Sequence, residues 1–365
     1  MILPKADKTA CVYTTAIKLL LLLLLISFNA CTEKRTQQKT EHAFYYWKSV
    51  LKLSDFEKQK LDSLQVKTIY LKFFDVDWDE AGKKPVPVAK LQAPHHPVMQ
   101  AGEGGILPGN ISIIPVIFIT NACIQKIDSA QVKQLAEKMY GLILEIKRSN
   151  GFTTSSEIQI DCDWTAASKE KYFLLLNNFK RQAPDSRISC TIRLHQVKFL
   201  SKTGVPPVDR GLLMCYNMGN LKDPATKNSI IETAELEKYT GNLSGYPLPL
   251  DVAFPLFEWK VLYRHNQYAG LIQNLPDTVF NNAFTGKTGN RYVVLKDSLL
   301  EGYDLQKGDM IRSEKSDIKE VLAAADAISR HLKNTPRRVS LYHLDSLILS
   351  KYTTHELESI YNSMH

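Results

Sequence analysis

Residues 157–165 read EIQIDCDWT, and this stretch gives the clearest indication of the fold. Apolar and polar residues alternate up to two aspartates, Asp161 and Asp163. Successive side chains of a β-strand point to opposite faces, so Asp161, Asp163 and Thr165 share one face and Trp164 lies on the other. Two carboxylates so near to each other repel and disfavour folding. Their presence therefore indicates a functional site at the end of a strand.

Seven other segments carry strand patterns, most of them nearly continuous apolar runs typical of buried parallel strands. Helical patterns that begin at N-cap residues lie between many of these segments. Eight strands alternating with helices predict an α/β fold, the (β/α)8 TIM barrel. An open doubly wound sheet is the alternative, but no Gly-rich phosphate loop follows the first strand. The predicted strands are residues 43–49, 68–77, 112–121, 157–164, 187–195, 211–218, 252–259 and 338–344.

Two segments interrupt the alternation of strands and helices. Residues 80–110 are rich in Pro, Gly and His and replace the helix expected between strands two and three. Residues 274–315 separate strand seven from its helix and contain strand-like pieces such as residues 291–295. We therefore expect a barrel over residues 42–365, with a small β-rich insertion over its mouth at residues 274–315.

The first 41 residues are predicted to lie outside the barrel. Three lysines precede a leucine run at residues 19–25, and Ala30 and Cys31 follow it, which is typical of a secretory signal. The leucine run is short for a membrane span. Cys31 directly after Ala30 resembles a bacterial lipoprotein box, so we expect a signal peptide at residues 1–30 and a lipidated tether at residues 31–41. The barrel would then be anchored in the bacterial cell envelope, whereas a plain signal peptide or an uncleaved anchor is the alternative.

The distribution of charge limits the classes of molecule that the protein is expected to bind. The formal net charge is +8, but lysine and arginine form no stripe interleaved with aromatic residues, so nucleic acid is not an expected partner. The mature chain is expected to be a monomer.

Cys123, Cys162, Cys190 and Cys215 each lie in or beside an apolar run and are expected to be buried small hydrophobes, although an exported protein can also pair them. No His/Cys spacing resembles a zinc site, and we predict neither a metal nor a cofactor.

The ends of the predicted strands supply the candidate binding residues, because barrels of this type carry their chemistry at the C-terminal strand ends. These ends combine carboxylates, aromatic rings and hydrogen-bonding groups. Aromatic faces stack on sugar rings, and carboxylates and amides bind hydroxyl groups, so the combination favours a glycan or oligosaccharide ligand. The candidate ligand-binding residues are Trp47, Asp75, Asp77, Asn121, Trp164, Arg193, His195, Met214, Tyr216, Asn217 and Trp259.

Two motifs resemble those of family 18 glycoside hydrolases, the chitinases and their relatives. Residues 160–165, IDCDWT, resemble the strand-four signature D-x-D-x-E, and residues 214–217, MCYN, resemble the strand-six motif M-x-Y-D. Most of the mature chain also resembles an uncharacterised family of bacterial barrel lipoproteins, through the phrases FYYWK, DCDWT, TIRLHQ, GVPP and LLMCYNMG. The resemblance implies a glycosidase-like barrel, a glycan ligand and a small extra domain after strand seven.

Departures from the family pattern predict degenerate catalytic machinery. The family's catalytic acid is the Glu that ends the strand-four motif, and Thr165 occupies that position. A threonine hydroxyl titrates too high to act as a general acid near neutral pH. Asn217 replaces the strand-six Asp, and strand eight, SLYHLD, lacks the tryptophan that floors the chitinase sugar site. We therefore expect an envelope lipoprotein that binds a glycan with little or no hydrolysis.

An active glycoside hydrolase is the first alternative. Such enzymes need two carboxylates that flank the scissile bond, and Asp163 and Glu258 on strands four and seven are candidates for them, with Asp161 as the third catalytic candidate. Flanking aromatic residues favour a raised pKa of Glu258 through desolvation. Equally, Glu258 is a candidate for a structural charge paired with Lys260 or Arg264.

A non-catalytic interaction scaffold in the envelope is the second alternative. In that case the barrel mouth would be plugged by residues 80–110 or by the insertion. Arg193, named above as a binding residue, is equally a candidate to neutralise Asp161 or Asp163 in a structural ion pair. An ion pair of that kind would remove a carboxylate from catalysis.

Overall fold

The computed structural model describes residues 40–93, 107–108, 111–152, 154–273, 275–280 and 284–364. The predicted signal peptide and the predicted lipidation site, Cys31, lie outside these residues. A compact unit begins at Thr40 and contains the whole closed barrel with its core, so this part of the chain has what it needs to fold alone. Within the described ranges, no helix combines the length and the apolar character needed to cross a membrane.

Eight parallel strands close into a barrel, because the first strand pairs with both the second and the last. Each lies within, or overlaps, one of the eight predicted strands, which confirms the (β/α)8 fold. A further strand, β3 (Lys84–Val88), pairs antiparallel with β2 inside the segment predicted to replace a helix. The barrel strands are β1 (Glu41–Tyr46), β2 (Thr68–Asp79), β4 (Ser112–Ile119), β5 (Glu157–Asp161), β6 (Arg187–Arg193), β7 (Arg210–Met214), β8 (Leu250–Pro255) and β16 (Arg338–Tyr342).

Helices cover the outside of the barrel, and several begin at the predicted cap residues. Ser54, Asp128 and Thr353 each accept a hydrogen bond from the amide three residues later, which satisfies an otherwise unpaired donor at the helix start. The α-helices are α1 (Asp55–Ser63), α2 (Asn121–Lys126), α3 (Ser129–Ser149), α4 (Lys169–Gln182), α5 (Leu194–Lys198), α6 (Leu200–Thr203), α7 (Thr233–Glu237), α8 (Ile318–His331), α9 (Ser346–Leu349) and α10 (Thr354–Asn362).

The barrel interior is packed and partly ionic. At the N-terminal end of the strands, Arg338 Nη1 lies 2.7 Å from Glu157 Oε2 and 3.7 Å from Asp251 Oδ2, and all three side chains are buried. Buried charges are tolerated only when they are paired in this way. The cysteines Cys123, Cys162, Cys190 and Cys215 are buried and free, in agreement with their interpretation as small hydrophobes.

The insertion between β8 and α8 is a small antiparallel domain with its own apolar core. It begins at Glu258 rather than at residue 274. The predicted strand 252–259 is interrupted because β8 ends at Pro255, which has no amide hydrogen to continue the ladder. The insertion strands are β9 (Glu258–Arg264), β10 (Gln267–Ile272), β11 (Thr285–Thr288), β12 (Arg291–Val294), β13 (Ser298–Leu300), β14 (Tyr303–Leu305) and β15 (Met310–Lys315).

Candidate ligand-binding cleft

A cleft of about 850 Å³ opens where the C-terminal ends of the barrel strands meet the insertion. We call it the mouth cleft. Its volume is in the range of small-molecule binding sites. The strand ends, the start of the insertion and the segment after β16 all contribute to its lining. Nine of the sequence-predicted residues line it: Trp47, Asp161, Asp163, Arg193, Met214, Tyr216, Asn217, Glu258 and Trp259.

Aromatic rings form the floor of the mouth cleft around Tyr342, at the end of β16. The Tyr342 ring centroid lies 5.7 Å from that of Tyr45, 5.8 Å from that of Trp47 and 5.5 Å from that of Tyr216. Phe257 meets Tyr342 edge-on at 5.7 Å. Rings clustered in this way keep each other in place. Trp47 and Tyr342 stay partly exposed, whereas Tyr45 and Tyr216 are buried beneath them.

Sequence reasoning missed three of these rings, Tyr45, Phe257 and Tyr342. Tyr342 lies in the strand-eight phrase SLYHLD, which lacks the tryptophan of the resembled family. The tyrosine in that phrase is the sequence feature from which a floor residue at this strand end could have been predicted. An aromatic residue at a barrel-strand end can serve as a floor whether or not it is a tryptophan.

Asp163 is held by Arg193 in a two-point ion pair. Arg193 Nε donates to Asp163 Oδ1 at 2.5 Å, and Nη2 donates to Oδ2 at 2.7 Å. Both carboxylate oxygens therefore face a guanidinium that keeps its charge at all physiological pH values. This is the structural ion pair that the sequence left open for Arg193.

Asp161 is the buried carboxyl group of the mouth cleft. The Thr191 hydroxyl donates to its Oδ1. Burial is the main cause that raises the pKa of Asp161 to about 7, and the negative charge of Asp163 adds to the effect. The Thr191 hydrogen bond and the charge of Arg193 act in the opposite direction but do not cancel it. Near neutral pH a substantial fraction of Asp161 is therefore protonated and able to donate a hydrogen bond.

Glu258 lines the mouth cleft at the start of β9 and is also ion-paired. Its Oε1 lies 2.6 Å from Lys351 Nζ. The two partners considered from sequence, Lys260 and Arg264, instead hold Asp277 and Asp309 in the insertion. Glu258 is therefore tied to the C-terminal segment of the chain.

Trp259 is fixed from behind by a buried network in the insertion. Its indole nitrogen donates to Glu314 Oε2 at 2.6 Å. Glu314 also accepts from Arg312 Nε at 2.5 Å and from the Ser229 hydroxyl at 2.5 Å, and the side chains of Arg312 and Glu314 are fully buried. Three separate segments thus converge on one carboxylate. The network sets the position of Trp259 relative to the loop that follows β7.

Two candidate carboxylates on β2 lie outside the lining of the mouth cleft. Asp75 pairs with the buried Lys72 at 3.0 Å, and Asp77 accepts from the Thr120 hydroxyl at 2.8 Å. In the part of the chain that the structure describes, no three acidic, histidine or cysteine side chains converge as a metal site requires. Asp75 and Asp77 therefore support neighbouring structure at this end of the barrel.

Three further candidates are also absent from the lining. Asn121 accepts from the Ser168 hydroxyl at 2.6 Å. His195 is exposed on α5, and desolvation together with the charge of Arg193 lowers its pKa. Trp164 is fully buried and donates to the Thr203 carbonyl at 3.1 Å. Trp164 lies beyond the end of β5 and stacks on Tyr172 of α4, at 5.2 Å between ring centroids, instead of lining the cleft.

Thr165 does not line the mouth cleft either. The strand β5 ends at Asp161, and the Thr165 amide donates to the Ser168 hydroxyl at 2.9 Å where the chain turns into α4. The Thr165 side chain is exposed. The position at which the resembled family carries its catalytic acid is thus both chemically and geometrically unsuited to that role here.

Comparison with known proteins supports the fold. No protein-family model and no curated protein matches the chain. The spore cortex-lytic enzyme SleL of Bacillus cereus matches with a TM-score of 0.53 and 12% identity, over 90% of this chain and 75% of that chain. A chitinase from Chromobacterium violaceum matches with a TM-score of 0.45 and 10% identity, over 89% of this chain and 98% of that chain. The match to SleL shows a shared barrel fold, whereas the chitinase score is too low to support an argument.

Proposed function

We propose that this protein binds a glycan in the mouth cleft and does not hydrolyse it. The observation that carries the proposal is the pairing of an aromatic floor around Tyr342 with cleft carboxylates that are already engaged. Aromatic faces cover the apolar faces of sugar rings, and the polar side chains around them bind hydroxyl groups. Asp161, Tyr216 and Asn217 contribute polar groups to the lining of the same cleft.

The ion pairs argue against hydrolysis. Glycosidases need one carboxyl group to protonate the leaving oxygen and a second carboxylate to act as base or nucleophile. Asp163 is bound by Arg193 and Glu258 by Lys351, so each of these carboxylates already has a cationic partner. Thr165 supplies no acid and lies outside the cleft lining. Asp161 alone does not meet the requirement for two groups.

One observation favours an active glycoside hydrolase as the second candidate. The pKa of Asp161 is raised to about 7, which is where a general acid is most effective at neutral pH. In this mechanism Asp161 would protonate the leaving oxygen. Asp163 or Glu258 would have to leave its cationic partner before it acted on the sugar.

We also propose that Cys31 is lipidated and holds the barrel at a membrane of the bacterial cell envelope. The support is the order of basic, apolar and small residues before Cys31. The polar residues after Cys31 would give the barrel a short solvated tether. An envelope location would expose the mouth cleft to extracytoplasmic glycans.

The proposed function is tested with the protein from Thr40 onward and a panel of chitin, peptidoglycan and plant or host oligosaccharides. We expect saturable binding without release of reducing ends. Tyr342→Leu keeps an apolar side chain but removes the flat face, and we expect it to weaken binding about fivefold, because contacts of an aromatic face with another ring contribute on the order of 0.5–1.5 kcal/mol. Phe199→Ala, at a partly exposed aromatic residue outside the cleft lining, is the matched control.

Two results would contradict this proposal. Release of reducing ends that disappears in Asp161→Asn would establish the hydrolase instead. If the protein binds no member of the panel, the non-catalytic interaction scaffold would be favoured instead. Each result leaves the assignment of the fold unchanged.

A further inference from the structure

We propose that the ligand of the mouth cleft is an amphiphilic glycoconjugate, in which the glycan carries a neutral hydrocarbon chain. The sugar would lie on the aromatic floor, and the chain would lie on an aliphatic surface in the same cleft. This inference rests on the proposed glycan binding and specifies the class of glycan.

Aliphatic side chains from two separate elements line one part of the mouth cleft. Leu275 and Pro276 come from the segment after β10, and Leu347 and Ile348 come from α9. We call these four residues the aliphatic wall. Leu347 is 71% exposed, so a large apolar side chain remains in contact with water in the unliganded protein. Covering such a surface with apolar ligand atoms is favourable.

An aliphatic wall is poorly suited to a second sugar ring. A hydroxyl group that leaves water without gaining a hydrogen bond costs free energy, and aliphatic side chains offer no such bond. They also lack the flat face on which sugars stack. The wall therefore differs in kind from the floor around Tyr342, although both line one cleft.

The charges near the wall are paired with each other. Glu258 lies 2.6 Å from Lys351, and Lys48 lies 2.7 Å from Asp345. All four of these residues line the mouth cleft. Paired side chains present little net charge to a ligand, so this part of the cleft favours a neutral chain over a phosphate or a carboxylate.

Two aromatic residues extend the floor towards the start of the insertion. The ring centroids of Phe257 and Trp259 lie 5.1 Å apart, and Phe257 also contacts Tyr342 on the floor. Because the wall residues line the same cleft, a ligand whose sugar stacks on the floor would lay an attached chain along this lining. The hydrocarbon would be the group attached to the sugar at the end nearer the wall.

Alkyl glycosides test this inference. The protein from Thr40 onward is titrated by calorimetry with methyl, butyl and hexyl β-glycosides of glucose and of N-acetylglucosamine, below their micelle concentrations. A fully buried methylene increases affinity about fourfold, so we expect hexyl glycosides to bind at least tenfold more tightly than methyl glycosides. Leu347→Ser is expected to lower the hexyl-to-methyl affinity ratio at least threefold. The control is Leu299→Ser, at a leucine that is 78% exposed in β13 and absent from the cleft lining, which should leave the ratio unchanged.

Each other outcome overturns the inference. Equal affinity for methyl and hexyl glycosides would exclude a hydrocarbon site and leave glycan binding intact. A chain-length effect that persists in Leu347→Ser, or that falls equally in Leu299→Ser, would place the chain elsewhere. Failure of all alkyl glycosides to bind would also overturn it, and the glycan panel would then decide the proposed function separately.

Discussion

The indole nitrogen of Trp259 and the carboxylate of Glu314 are joined by a hydrogen bond of 2.6 Å. Trp259 lines the mouth cleft, whereas Glu314 lies buried behind it with Arg312 and Ser229. The bond therefore connects a ligand-facing ring to an internal charge of the insertion. A ring anchored in this way loses little freedom when a ligand binds, which favours affinity.

Replacement of the anchored ring gives the first prediction. Trp259→Phe keeps an aromatic side chain but removes the N–H donor to Glu314. A hydrogen bond to a charged group contributes on the order of 1.5–3 kcal/mol, part of which positions the ring, so we expect glycan affinity to fall about fivefold. Trp78→Phe is the control, because Trp78 at the end of β2 lies outside the cleft lining. Calorimetric titration measures both variants, and equal losses of affinity would contradict the anchoring role.

The second prediction concerns the free energy of unfolding and the buried ion pair between Arg312 and Glu314. Glu314→Gln removes the charge that balances Arg312, and both side chains are fully buried. Breaking a buried pair from one side typically costs about 3–5 kcal/mol, so we expect the free energy of unfolding in urea to fall by about that amount. Glu237→Gln is the matched control, because its ion pair with Arg330 is solvent-exposed and its loss should cost less than about 1 kcal/mol. Similar losses in the two variants would show that Arg312 finds another partner.

The barrel was predictable because its signals are local. Apolar runs of strand length and N-cap residues such as Ser54 and Asp128 each depend on a few neighbouring residues. The alternation of side chains along residues 157–165 likewise predicted that Asp161 and Asp163 share one face and that Trp164 lies on the other. The same alternation argues against Trp164 as a ligand-binding residue, and the structure buries it outside the cleft lining.

The pairing of the cleft charges was not predictable in the same way. Glu258 meets Lys351, a residue 93 positions later in the chain, and only the closed barrel brings the two together. The nearby cations Lys260 and Arg264 are drawn to acidic residues of the insertion instead. Sequence proximity is a poor guide to ion pairs when an inserted domain supplies competing partners.

The position of Thr165 gives the third prediction. Thr165→Glu restores the residue type of the family 18 motif, but we expect no release of reducing ends from any glycan of the panel. The side chain at this position is exposed and outside the cleft lining, and Asp163 stays bound to Arg193. The reducing-end assay of the variant, beside the unmodified protein, checks this expectation. Measurable hydrolysis would mean that the turn before α4 rearranges when a ligand binds.

Membrane attachment gives the fourth prediction. Cys31→Ser in the full chain removes the only thiol that follows the predicted signal directly, so we expect the protein to leave the membrane fraction and appear as a soluble extracytoplasmic form. Fractionation of cells with detection of the barrel measures the change. Cys11→Ser, within the predicted signal, is the control and should leave attachment intact. Membrane association that persists in Cys31→Ser would indicate an uncleaved anchor.

The titration of Asp161 gives the last prediction. The folded protein holds the Asp161 proton up to about pH 7, whereas an unfolded chain releases it near the ordinary aspartate value of 3.8. Between these values the folded state binds more protons, so the contribution of Asp161 to the free energy of unfolding falls as pH rises and is constant above pH 7. We expect the total fall between pH 3.8 and pH 7 to be on the order of 4 kcal/mol.

Asp161→Asn separates this effect from the other groups that titrate in the same range. Asparagine carries no charge, yet its side-chain oxygen still accepts from the Thr191 hydroxyl. Asp251, whose pKa burial raises to about 6, contributes in the same direction in both proteins and cancels from the difference. Urea unfolding at pH 5 and pH 8 should therefore show that the variant gains stability relative to the unmodified protein as pH rises. A difference that stays constant with pH would mean that Asp161 is ionised throughout, and the carboxyl group would then be unable to donate a hydrogen bond to a sugar.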